Sequence, residues 1–387
     1  MSYDFDQLID RRQNNSYKWD IKENELPMWV ADMDFATAPA ITEALKSRLE
    51  ENAFGYNTVP EEFFASFINW WQDYHQVSMQ KSGLMFCTGV VPAISSIVRK
   101  VTEVNDNVVI LTPVYNIFFN SILNNQRQVL ASPMSYHEGN YQIDFEDLEK
   151  KLALKETTLF IFCNPHNPIG KVWSQADLEK IGALCVKHQV LLLSDEIHCD
   201  LTHEGYQYRS FIDISSAISQ QLIVCLAPTK AFNLAGLQTS AIYVENPALF
   251  EKVNRGINTD EVAEPNTFAI QAAIAAFTNG RPWLEALNSY LSQNRKILTD
   301  FFKKRFPEIR LIESQATYLA WLDCSALTKD TADFCQFLRE TTGLILSEGD
   351  IFGGNGQQFV RWNYACPVSR LQDGLGRFEK GTREFLL

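Results

Sequence analysis

At 387 residues the chain exceeds the usual single-domain range, so two domains with a sizeable core are expected. A formal net charge of −13 and a pI near 5.0 disfavour nucleic acid and anionic membranes as partners, so a phosphate-bearing ligand would have to be held by local groups. The eight cysteines follow no CxxC or metal spacing, Met1 leads directly into Tyr3-Asp4-Phe5-Asp6 without a signal-peptide pattern, and no apolar run reaches transmembrane length. A soluble cytoplasmic protein with reduced thiols is the expectation.

In chain order, a polar arm reaches Leu26-Pro27-Met28-Trp29-Val30-Ala31-Asp32-Met33-Asp34-Phe35, which reads as an extended segment lining a site or as an ordinary edge strand. Residues 39–49 read as helix, and Phe54-Gly55-Tyr56-Asn57 as a glycine-containing turn that displays a phenol. Phe63, Phe64, Phe67, Ile68 and Trp71 recur at near-helical spacing, the mark of a core-facing helix. From Phe86 to Ile94 a strand runs through Gly89 into a helix with Pro92 in its first turn. Such a helix start binds phosphate through main-chain amides without basic side chains, although a plain strand-to-helix turn fits the same residues.

Four short apolar runs, Val108 to Leu111, Leu159 to Cys163, Val190 to Leu193 and Leu222 to Leu226, read as strands of a parallel sheet buried on both faces. Each ends in polar or aromatic residues: Thr112-Pro113-Val114-Tyr115, Asn164-Pro165-His166-Asn167-Pro168, Ser194-Asp195-Glu196-Ile197-His198, and Ala227-Pro228-Thr229-Lys230. Ligands of open α/β sheets bind beyond the carboxyl ends of the strands, so these residues face one crevice. Residues 245–300 read as largely helical, and Phe359-Val360-Arg361-Trp362-Asn363-Tyr364 as a strand with a single arginine. That arginine suits a surface rim, or a planar clamp for an α-carboxylate.

A lysine amine forms a Schiff base with a carbonyl, and pyridoxal phosphate (PLP) is the common cofactor whose ring nitrogen wants an aspartate partner. Asp195 and Lys230, on neighbouring strand ends, match that pair; a strand-end salt bridge would use the same two residues.

Residues 164–170, 194–200 and 227–236 resemble the signature of fold-type I PLP enzymes, the aspartate aminotransferase superfamily. Residues 29–35, 89–94, 163–168 and 194–198 resemble more closely one branch, the MalY/PatB-type cystathionine β-lyases or carbon-sulfur lyases. The resemblance implies an α/β fold with a mostly parallel central sheet flanked by helices, in a large PLP-binding domain at 45–280. A smaller α+β domain would be formed by residues 1–44 and 281–387. Lys230 is then the lysine that holds the cofactor covalently, Asp195 the partner of the ring nitrogen, Asn167 the ligand of the ring oxygen and Tyr115 the stacking aromatic. The amides of Val90 and Val91 and the Thr229 hydroxyl would form the phosphate cup. Tyr56 would reach the phosphate of a neighbouring subunit, implying a homodimer with shared sites. Arg361 would clamp the substrate carboxylate and Ala31 would touch the substrate.

Two positions depart from many aminotransferases and look like the lyase branch: His198 replaces a tyrosine at the ring oxygen, and Gln238 replaces an arginine on the phosphate. The implied reaction is elimination of a thiol from cystathionine, cysteine or a related S-substituted cysteine, giving pyruvate and ammonia. The alternatives are a class I/II aminotransferase and, from a different class, a regulatory protein. No added DNA-binding domain or basic patch favours the last.

Overall fold

The computed structural model describes residues 3–387. Seven strands form one sheet in the order Leu84–Cys87, Ser240–Tyr243, Leu222–Leu226, Leu191–Asp195, Thr157–Cys163, Asn107–Thr112, Gln128–Pro133. All neighbours run parallel except Ser240–Tyr243, which is antiparallel to the strands on both sides. The apolar runs alternate between two cores, as a two-residue period demands. Phe160, Phe162, Leu192 and Val224 enter one, while Leu159, Ile161, Leu193, Ile223 and Cys225 enter the other.

Helices cover both faces. Val90–Val101 and Pro247–Thr259 pack together on the second core, through Ile94, Ile97, Leu249 and Val253. Glu61–Trp70, Gln175–His188 and Thr267–Asn279 cover the first. Their starts are written locally: Ser174 and Asp177 close a capping box, and Asn246 and Asn266 each accept from two first-turn amides. Val90–Val101 is different, since it follows Gly89 without a side-chain cap and leaves its first-turn amides free of one.

A second, antiparallel sheet runs Arg310–Leu311, Leu319–Asp323, Phe359–Asn363, Ser347–Glu348. The 25-residue helix Arg281–Arg305 leads into it. The amino-terminal segment joins this region, because Leu26–Pro27 pairs in parallel with Leu344–Ile345. Position 44 lies inside the helix Pro39–Glu50, which packs on Thr267–Asn279.

Local expectations shift in three places. Only Leu26–Pro27 of the amino-terminal apolar segment is strand, and residues 28–38 run irregularly. Residues 52–60 are irregular rather than a turn at Gly55. The helix from Glu61 ends at Trp70 and passes into a π-helical turn over Trp71–His75. All eight cysteines are buried and unpaired, and among the described residues no helix is long and apolar enough to cross a membrane.

Candidate active site

A cavity of about 250 Å³ opens at the carboxyl ends of the parallel strands. Asp195 ends its own strand, and Tyr115, Asn167, His198, Thr229 and Lys230 each follow a strand by a few residues, so the sheet delivers all of them to the cavity wall. Val90 and Val91 enter with the helix start, and Ala31 also lines the cavity. Arg361 lies in the second sheet, buried against this group and donating to Asn167 Oδ1 at 3.2 Å. Tyr56 is not brought to the cavity. It is fully exposed and lines a separate groove with Phe54 and Phe268.

The dipeptide Asp195-Glu196 splits between two tasks. Both side chains are buried, but strand alternation turns them to opposite sides. Glu196 faces the core and is saturated by Tyr208, Ser210, Ser194 and the Phe211 amide. Asp195 faces the cavity and accepts only from the Ile197 amide, at 3.2 Å. Burial pushes its carboxyl up to about 7, against the pull of the Ile197 amide and Lys230. A carboxyl so placed is poised to accept a protonated ring nitrogen, which would return it to the ionised form.

Lys230 donates from Nζ to the Ala31 carbonyl at 2.7 Å. Desolvation by the cavity walls lowers its amine to about 8, with Asp32 and Asp195 opposing and Arg361 assisting. His198 is lowered to about 3 by burial, with Lys230 and Arg361 adding to the effect, so its ring is neutral. Its Nδ1 is buried and unpartnered.

Arg361 is the more telling cation. Its guanidinium donates to the Asn167 amide oxygen and to the Trp29 carbonyl at 2.9 Å, and among the described residues no carboxylate pairs with it. Burial lowers it to about 10. A buried guanidinium bonded only to neutral oxygens is a receptor for a carboxylate, since an unpaired buried charge is costly.

These residues fit PLP. A lysine and a buried carboxyl that feels its charge line one cavity, and Tyr115 lines it with them as an aromatic that could stack on a ring. The uncapped helix start supplies amides for a phosphate. Beside it the Thr239 hydroxyl, buried and unpartnered, lines the same cavity, as does the uncharged Gln238. A phosphate there would meet amides and hydroxyls in place of a cation.

The family model for aminotransferases of class I and II matches residues 24–378. The chain belongs to that family. Among curated relatives, cystathionine β-lyase PatB of Bacillus subtilis (strain 168) is 40% identical over 382 residues, covering 97% of this chain and 98% of that protein. Protein MalY of Escherichia coli (strain K12) is 32% identical over 381 residues, covering 96% and 97%. Among solved structures, cystalysin from Treponema denticola, which contains a pyridoxal 5'-phosphate cofactor, superposes with a TM-score of 0.96 at 34% identity, covering 99% of this chain and all of that one. The PLP-bound C-S lyase from Staphylococcus hominis gives 0.93 at 33% identity, with both chains covered in full. The family and fold implied by the motifs are therefore borne out.

Sequence reasoning missed the polar groups that frame the site from a distance. Thr239 gave no signal. Asn363 gave one, since it stands two residues from Arg361 on one strand and so shares its face. Ser347, in a strand, and Tyr318, just before one, bond the Trp29 and Ala31 carbonyls, and only the folded chain aligns those strands with that of Arg361.

Proposed function

We propose that this family member is a PLP-dependent carbon-sulfur β-lyase that expels a thiol from cystathionine, cysteine or a related S-substituted cysteine, giving pyruvate and ammonia. The observation that carries the reading is the convergence of a lysine, a buried carboxyl and a buried arginine with no carboxylate partner on one cavity. The names of two relatives matched over their whole length, a cystathionine β-lyase and a C-S lyase, support the reaction type.

Bound in this cavity, PLP supplies an electron sink for the charge left at the substrate's Cα. Asp195, whose burial already disfavours solitary ionisation, would hold the proton on the ring nitrogen. Asn167 would bond the ring oxygen, Tyr115 would stack on the ring, and His198, a neutral ring, would line its oxygen side. The amides of Val90 and Val91 with the Thr229 hydroxyl would hold the phosphate. Arg361 would take the substrate carboxylate and so fix which Cα bond stands across the ring plane.

Lys230 would then remove the Cα proton. An amine at about 8 is roughly one-tenth neutral at pH 7, which suits a general base. His198 cannot substitute for it, because a ring lowered to about 3 holds a proton too weakly. Loss of that proton and of the Cβ–S bond releases the thiol. The aminoacrylate set free takes up water to give pyruvate and ammonia.

The working form in this reading is a homodimer, supported by the full exposure of Tyr56, which a residue serving a neighbour's phosphate requires. Residues 1–44 and 281–387 would act as the smaller unit beside the PLP-binding part at 45–280. Eight unpaired cysteines support a cytoplasmic setting. The test is cofactor-loaded protein with L-cystathionine and no keto acid, beside Lys230→Ala. The wild type should release pyruvate, and the variant should lose both turnover and the absorbance of the covalently held cofactor. Amination of an added keto acid without pyruvate would replace the lyase by an aminotransferase.

A further inference from the structure

Besides the Asp32 carboxylate on Arg11 and the Met33 amide on Asn233, the irregular segment Trp29–Met33 is held through its carbonyls. Each of the five accepts two hydrogen bonds. The Trp29 oxygen receives Arg361 at 2.9 Å and Ser347 at 3.2 Å, and the Ala31 oxygen receives Lys230 at 2.7 Å and Tyr318 at 3.0 Å. Asn363 spans the middle: its Nδ2 donates both hydrogens, to Val30 at 2.5 Å and to Asp32 at 2.6 Å, one on either side of Ala31.

In the proposed reaction two of these donors are on loan: Lys230 would leave the Ala31 carbonyl on engaging the cofactor, and Arg361 would turn from Trp29 to a substrate carboxylate. The side-chain donors that stay on Trp29, Val30 and Ala31 come from one sheet or from the residue just before its strand. Ser347 pairs across strands with Arg361, Asn363 pairs with Leu319, and Tyr318 directly precedes Leu319. All three are buried.

We propose that Tyr318, Ser347 and Asn363 are positioning residues for the amino-acid substrate, keeping Ala31 against it after Lys230 and Arg361 have let go of the segment. The inference rests on the roles given to Lys230 and Arg361 above. It makes a conditional claim that a merely structural role does not: the staying donors matter only once the loaned ones depart.

The experiment compares wild type with the double variant Tyr318→Phe/Ser347→Ala by amide exchange over residues 29–34. Each is measured without cofactor, loaded with PLP, and loaded with PLP and L-alanine, an amino acid with no thiol to lose. Without cofactor the two proteins should exchange within about threefold; with PLP and L-alanine the variant should exchange at least about tenfold faster. The loaded variant's KM for L-cystathionine should rise about tenfold while kcat stays within about threefold. Equal exchange in the presence of L-alanine, or fast exchange of the variant already without cofactor, overturns the proposal. Asn363→Asp, which keeps the acceptor for the Ala365 amide but cannot donate to Val30 and Asp32, should raise KM in the same way, and an unchanged KM counts against it. A wild type whose cofactor absorbance does not respond to L-alanine, or a Lys230→Ala variant that keeps that absorbance, overturns the underlying site reading instead.

Discussion

The two sides of the cavity are built in different ways. On the cofactor side each group arrives with its own strand: Tyr115, Asn167, Asp195 and Lys230 all stand at or just beyond the carboxyl end of a parallel strand, and the sheet's hydrogen bonds fix their spacing. On the substrate side an irregular segment is fastened by side chains from residues up to 333 positions away, as with Asn363 and Val30. The first side is a rigid product of local pattern. The second rests in part on Lys230 and Arg361, which the proposed reaction would call away.

The sharpest break in the comparison is on the cofactor side. Lys230→Ala should lower turnover by at least about 10³-fold, within the range of a lost general base plus a lost covalent anchor, as measured by pyruvate release. Next is Arg361→Ala, which removes the carboxylate's charged partner. Its kcat/KM should fall about 100-fold, carried mainly by KM, and steady-state kinetics on L-cystathionine would check it.

The pH behaviour of the cofactor-free protein separates Asp195 from its neighbours. Its folded-state carboxyl lies at about 7, above the ordinary 3.8, so the folded chain binds more protons across that window. Its contribution to stability is therefore fully present below pH 4 and is lost as pH rises through about 7. Asp195→Asn should flatten that part of the profile, measured as the difference between the two proteins in denaturant midpoint between pH 4 and pH 7. A parallel fall in both proteins would contradict the assignment.

Glu196 provides the matching control from the core. Glu196→Gln should cost about 1–3 kcal/mol of stability, because the carboxylate's hydrogen bonds to Tyr208, Ser210 and Ser194 and to the Phe211 amide cannot all be kept by one carbonyl oxygen. Turnover per folded, loaded molecule should change little. The smallest effect expected is at Tyr56→Phe. If Tyr56 serves a neighbour's phosphate, PLP should dissociate about fivefold more readily, roughly the value of one hydrogen bond.

The same contrast explains what could be read in advance. The four central strands of the seven-stranded sheet, and the acid and lysine at their carboxyl ends, were legible because apolar runs of strand length end in polar clusters, and a parallel sheet buried on both faces writes itself as such runs. The helix start at Val90 was legible from Gly89 and Pro92. The amino-terminal segment was legible only in part: it read as a site lining or as an edge strand, and while Ala31 does line the cavity, most of the segment's carbonyls are bonded by side chains rather than by a neighbouring strand. The opposite fates of Asp195 and Glu196 follow from strand alternation, but which of them faces the cavity depends on which core each side of the sheet packs against. Tyr56 lies outside the cavity of its own chain, so no intrachain pattern could place it.

The most direct test of the central claim is the stoichiometry of the products. Purified, PLP-loaded protein given L-cystathionine without any keto acid should release thiol and pyruvate in equal amounts over many turnovers. Release of neither, with amino transfer restored by adding a keto acid, would contradict the lyase assignment while leaving the cofactor cradle in place.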